Sequence, residues 1–161
     1  MFAASQLANA QSLSLRQTID LPSIRGRLDH LDIDVEGKRL FVAALAADAL
    51  MVIDLQTGAR PSQITSLREP QGVRFMASDQ RLYVANGAGG GVQAFASARS
   101  PMSVGNGDLD DADNLRIDAL SRRLWVGYDH ALAALDPHTL QAVQRVALQG
   151  HPEAFELDRS G

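Results

Sequence analysis

The sequence of 161 residues predicts an all-β chain of tandem β-propeller blades, each of four antiparallel strands, with three full blades and the start of a fourth. Two observations predict this fold. A strand of fixed type returns at a fixed interval: Lys38-Arg39-Leu40-Phe41-Val42-Ala43, Gln80-Arg81-Leu82-Tyr83-Val84-Ala85 and Arg122-Arg123-Leu124-Trp125-Val126-Gly127, with Arg39, Arg81 and Arg123 spaced by 42 residues. Around each copy lie three further short apolar or alternating runs, and nothing between them keeps a period of about 3.6.

The runs before the repeat are Leu31-Asp32-Ile33-Asp34, Val73-Arg74-Phe75-Met76 and Leu115-Arg116-Ile117-Asp118, with a fourth copy at Phe155-Glu156-Leu157-Asp158. The runs after it are Met51–Asp54, Val92–Phe95 and Leu132–Asp136, each followed by a turn and a last strand at 61–65, 101–104 and 142–148. Hairpin turns fall at Glu36-Gly37, Ser78-Asp79 and Leu120-Ser121, where Gly and Asp supply positive φ or a local side-chain hydrogen bond. Gly89-Gly90-Gly91 sits in the next hairpin of the middle copy, with no Gly-Lys-Ser/Thr ending and no helix after it, so it is not a phosphate loop. The blades are expected at about 28–70, 71–112 and 113–152, with 153–161 opening the next.

Composition narrows the function. A net charge of −4 gives no electrostatic reason to expect nucleic acid, and no stretch approaches the roughly 20 apolar residues of a membrane span. The absence of cysteine removes thiolate metal sites and cysteine nucleophiles. Residues 1–12 are expected to be a leader: Ala8-Asn9-Ala10 has the small-x-small form of a signal-peptidase site, which implies a periplasmic or secreted protein. Residues 13–24 resemble a last strand, as in propellers whose N-terminal strand completes the final blade. Three blades do not close a ring. The expectation is therefore part of a longer propeller, about 300 residues if seven blades of this period are intended, with self-association through two uncovered sheet faces.

In a propeller the residues just before each first strand gather at one mouth of the central channel. Here they are Asp29-His30, Gln71-Gly72, Asp113-Asn114 and His151-Pro152-Glu153, polar in all four copies at Asp29, Gln71, Asp113 and Glu153. Such a ring either caps strand ends or holds a divalent cation, a small polar ligand or a positioned water. His130 and His138 fall in surface hairpins. A second acidic run, Asn106-x-Asp108-x-Asp110-Asp111-x-Asp113, begins like a calcium loop but has Asp111 at the sharp-turn glycine and Ile117 at the bidentate glutamate, so it reads as a solvated loop.

Leu82-Tyr83-Val84-Ala85-Asn86, with Val52-Ile53-Asp54-x-x-Thr57-Gly58, resembles the YVTN-type repeat of the YncE-like β-propeller family, over about residues 28 to 161. The middle copy departs from it, with Ala96 where the others have Asp54 and Asp136 and no Thr-Gly turn in Ser97–Ser100, which predicts a looser outer hairpin there. The resemblance implies an exported binding or scaffold module with its ligand or protein partner at the channel mouth. The architecture is also similar to that of calcium-dependent propeller lactonases. That likeness implies Asp113, Asn114 and Glu153 as ligands of a divalent cation such as calcium, with His30 or His151 as general base.

Overall fold

A computed structural model of the chain describes residues 13–22, 24–58, 62–96, 104–106 and 109–158. It contains three sheets of four antiparallel strands, each sheet formed by strands that are consecutive in the chain. The first blade is β1 (Leu31–Asp34), β2 (Arg39–Ala44), β3 (Ala49–Asp54) and β4 (Ser62–Ile64). The second is β5 (Pro70–Met76), β6 (Arg81–Asn86), β7 (Gly91–Ala96) and β8 (Val104–Asn106), and the third β9 (Ala112–Asp118), β10 (Arg123–Tyr128), β11 (Ala131–Leu135) and β12 (Ala142–Ala147). The register repeats with the sequence: Phe41 lies opposite Val52, Tyr83 opposite Ala94 and Trp125 opposite Ala134. The chain thus folds as a partial β-propeller.

The blades stack face on face. Phe41, Ala43, Leu50 and Val52 of the first pack on Val73, Phe75, Leu82, Val84 and Phe95 of the second. The other face of the second blade, with Tyr83, Ala85, Val92 and Ala94, packs on Leu115, Leu124, Val126 and Leu135 of the third. A strand buried on both sides cannot alternate apolar with polar, which is why Leu82 to Asn86 are all buried. At the first interface the Phe41 and Phe75 rings lie 5.4 Å apart. The Arg39 guanidinium, anchored on Asp34 at 2.6 Å, sits 5.5 Å from the Phe41 ring and 5.3 Å from that of Phe75. At the second, the Tyr83 hydroxyl donates to the Pro137 carbonyl at 3.1 Å. Burial pushes the Tyr83 phenol up to about 12, so it stays a donor at any ordinary pH.

Local details depart from the sequence reading. In the first hairpins the positive φ falls one residue later than the Gly and Asp positions, at Lys38, Gln80 and Arg122. Gly37 is needed for space instead, because a Cβ there would overlap the Asp34 carboxylate that accepts from its N–H. The fourth copy, Phe155 to Asp158, forms no strand.

Residues 13–22 form no strand either. Each of the three sheets already has its own fourth strand, so among the described residues no place is vacant for a closing one. Ile19, Leu21 and Ile24 pack instead on Val42, Ala44, Met51 and Ile53, which covers the outer face of the first blade. Of the two faces expected to be open, only that of the third blade remains so among the described residues. The expected leader, the Ser97–Ser100 turn and Asp108 lie outside the described residues.

Tyr83→Phe removes one of two interblade donors to the Pro137 carbonyl, the other being the Arg81 guanidinium at 3.1 Å, while keeping the ring. Thermal or denaturant unfolding should show a loss of about 1 kcal/mol, the net value of one buried hydrogen bond whose acceptor keeps its second donor. No change in stability would mean that the Pro137 carbonyl does not depend on the hydroxyl.

Candidate functional site

Stacking sets the first strands β1, β5 and β9 side by side. Asp32 of β1 accepts from the Phe75 N–H of β5 at 2.7 Å and lies 3.4 Å from Arg74, and Arg116 of β9 reaches Glu156 at 3.0 Å. These four charges occupy one repeat position, the first three 42 residues apart and the last 40 residues on. Above them the blades approach to backbone contact. A Cβ at Gly72 would overlap the Asp113 carbonyl oxygen, and one at Gly127 would lie 3.0 Å from Pro152. These close contacts bring the residues that precede successive first strands together.

Of the expected ring, Asp29, His30, Asp113, Asn114 and His151 converge. Asp113 is 4% exposed and Asn114 1% exposed. His30 Nδ1 lies 3.7 Å from Asp113 Oδ1, and His151 Nε2 lies 3.7 Å from Asp113 Oδ2, so two imidazoles flank one buried carboxylate. Asp113 Oδ1 has no hydrogen-bond partner. Asp29 is held by Arg27 at 2.7 Å and stands 3.0 Å from His30 Nδ1, but off the N–H direction, so Nδ1 also keeps no hydrogen-bond partner.

The hydrogen bonds around Asn114 define the protonation of His30. Arg116, a donor only, reaches Asn114 Oδ1, while Asn114 Nδ2 donates to the Glu153 carbonyl at 3.1 Å. Both partners demand the same orientation of the amide, so Nδ2 also faces His30 Nε2, at 3.1 Å, as a donor. His30 Nε2 must therefore accept, and its ring carries its proton on Nδ1. In His151 the Asp129 carbonyl, 2.9 Å from Nδ1, requires the proton there, and the neutral ring presents Nε2 to Asp113 as an acceptor.

Two expected ring members take other parts. Gln71 contributes its carbonyl, which accepts from the His30 N–H at 3.3 Å, while its side chain lies over Gly87. Glu153 contributes its carbonyl to Asn114 and leaves its side chain exposed. Sequence reasoning missed Asp111, 3.4 Å from His151 Nδ1, and the clamp formed by Arg27 and Arg116. Asp111 stood in the acidic run read as a solvated loop; it is exposed, but it turns towards the mouth. Of the set that the lactonase likeness implies, Asn114 is engaged by its neighbours and the Glu153 side chain is exposed. A guanidinium occupies Asn114 Oδ1, and no group of three His, Asp or Glu side chains among the described residues is arranged to hold a metal ion. His130 and His138 remain outside the cluster; His138 lies 3.7 Å from Asp79 in a hairpin region.

Many solved structures resemble this arrangement of blades, among them the following two. One is hydrazine synthase of Kuenenia stuttgartiensis, 16% identical with a TM-score of 0.62, matching 73% of this chain and 35% of that one. The other is a putative 6-phosphogluconolactonase from Bacteroides uniformis, 17% identical with a TM-score of 0.65, matching 83% of this chain and 45% of that one. The chain therefore spans less than half the length of either. At this identity the likeness shows a propeller-like fold. No protein-family model and no curated protein matches the sequence.

Burial pushes the Asp113 carboxyl above its usual range; His30 works against the rise, and the Asp29 and Glu153 charges add to it. The folded state then holds a proton on Asp113 more tightly than the unfolded chain does. This group's contribution to stability therefore falls as pH rises from the unfolded value near ~3.9 through the raised folded value. Asp113→Asn should melt higher than the parent at pH 7, and the difference should close at pH 3. Asp136, held down by the Thr139 N–H, and Asp118, held down by the Ser121 hydroxyl, act in the opposite sense. Their stabilisation is present above the unfolded carboxylate value and is lost as pH falls through the lowered folded one. Melting temperature against pH for Asp113→Asn and the parent separates the two contributions.

Proposed function

We propose that this chain is a ligand-binding module whose site is the polar mouth formed where β1, β5 and β9 begin. The observation that carries the reading is the Asp113 carboxylate, nearly fully buried between two imidazoles with one oxygen left without a hydrogen-bond partner. Buried polar groups in folded proteins are otherwise paired, and an exception at a convergent polar cluster is the usual mark of a binding or reacting group. Strand-end capping accounts for Asn114 and Gln71 but not for Asp113, which bonds no turn with Oδ1. The finer assignment, an exported YncE-like binding or scaffold protein, rests on the repeat resemblance and on Ala8-Asn9-Ala10.

A hydrolytic reading has one specific support. The Asp129 carbonyl holds His151 with its Nε2 lone pair facing the mouth, as a general base needs, and one structural neighbour is described as a putative lactonase. His30 is less suited to that role, because Asn114 occupies its Nε2.

The test is a thermal-shift panel on the 161-residue chain with small carboxylic acids, amines, polyols and lactones. At least one class should raise the melting temperature of the parent and not of Asp113→Leu. A panel with no response, or a response kept in the variant, overturns the site. Hydrolysis of D-glucono-1,5-lactone that is abolished in His151→Ala, with melting unchanged, would establish the hydrolase instead.

A further inference from the structure

The arginine that opens each second strand serves a different neighbour in each blade. Arg39 pairs with Asp34 at 2.6 Å and stacks on Phe75 of the second blade. Arg81 donates across the next seam to the Pro137 carbonyl of the third blade at 3.1 Å. Arg123 stands at the same repeat position and has neither kind of partner. Asp118 lies opposite it in the ladder, as Asp34 lies opposite Arg39. Yet Asp118 gives one oxygen to the Leu120 N–H and the other to the Ser121 hydroxyl. What is left to Arg123 is a contact of 3.5 Å with Asp136, whose other oxygen accepts from the His138 and Thr139 N–H groups. A guanidinium has five N–H donors, so most of those on Arg123 have no acceptor among the described residues.

Arg123 is at the edge of the groove of about 660 Å³ on the outer face of the third blade. Trp125, Leu132, Ala134 and Val146 line it from the sheet, and Phe155 and Leu157 from the segment that follows. A space of this size falls within the range of small-molecule sites, about 300 to 1,000 Å³, and its apolar lining suits a hydrocarbon body. The acids on the rim are already answered: Asp118 by its own turn, Glu156 by the Arg116 guanidinium at 3.0 Å, and Asp158 is likewise engaged. The open valence of the groove is therefore a positively charged donor beside an apolar surface. A carboxylate answers a guanidinium with two parallel charge-assisted hydrogen bonds, where a hydroxyl makes one without charge and an ammonium makes none.

We infer that the groove binds an apolar monocarboxylate, its hydrocarbon body against Trp125 and Leu132 and its carboxylate on Arg123. Medium-chain fatty acids and arylalkanoic acids share this chemistry. The inference concerns a different part of the molecule from the mouth and does not rest on the binding reading of that site.

Trp125 is the only tryptophan in the chain, so its fluorescence reports on the groove. The test titrates the 161-residue chain with octanoate, 1-octanol, octylamine and acetate at pH 7.5. Octanoate should change the emission and saturate. 1-Octanol, which lacks the charge, and octylamine, which reverses it, should each need about tenfold more for half the change. Acetate, which lacks the body, should give no change. In Arg123→Gln the octanoate midpoint should rise to that of 1-octanol while the octanol midpoint stays, a split that a general loosening of the fold does not produce. Val146 is exposed on β12, so Val146→Asp should keep the melting temperature and weaken octanoate more than octylamine. The inference is overturned if 1-octanol or octylamine binds as tightly as octanoate, if R123Q leaves the octanoate midpoint unchanged, or if all four probes are silent. An emission change on concentrating the protein without any probe would assign the groove to a second copy of the chain, and overturns it as well.

Discussion

The structure depends on the stacking of sheets that have no water-facing side where they meet. The second blade lies between two others, so both faces of β6 and β7 must be apolar, and the shape of each face must match a different neighbour. Leu82 and Val84 answer the first blade, Tyr83 and Ala85 the third. Polar chemistry is then confined to strand ends, turns and the edge along the first strands. The mouth cluster follows from that confinement. It lies where the backbone runs out of ladder partners and where Gly72 and Gly127 let one blade's strand touch the next blade's entry.

The same repeat position does different work in different blades. Phe41 takes an aromatic neighbour, Phe75, and the Arg39 guanidinium. Tyr83 takes the Pro137 carbonyl. Trp125 carries a donor, Nε1, that is buried with no partner, beside a groove of about 660 Å³ whose lining includes Leu132, Ala134, Val146, Phe155 and Leu157. The outer face of the third blade thus has the composition of an interblade face, and the outer face of the first is covered by Ile19, Leu21 and Ile24. Period alone does not distinguish these fates, because what covers a face is decided by residues remote from it.

The blades themselves were legible because a fixed interval of 42 residues is a long-range signal that needs no knowledge of contacts. The order of strands within each blade came with it. The small features were less legible, and for physical reasons. Glycine at 37 looked like the residue with positive φ, yet Lys38 adopts it, since the turn's conformation is set by the Asp34 carboxylate accepting from the Gly37 N–H. The segment 13–22 has the alternation of a strand, but alternation only makes a strand where an open edge exists to pair with.

At the mouth, the repeat correctly named which residues meet but not what each would present. Asp29, His30, Asp113, Asn114 and His151 converge as their spacing implied, while Gln71 and Glu153 arrive through their carbonyls. A carbonyl is present whatever the side chain, so its part cannot be read from residue type. The same holds for the histidines, whose protons are assigned by Asn114, through Arg116, and by the Asp129 backbone. Those assignments turn a ring of polar residues into an ordered set of one donor and three acceptors. The hydrogen-bonding character of the ring therefore lies in the groups behind it, which hold the imidazoles in defined tautomers.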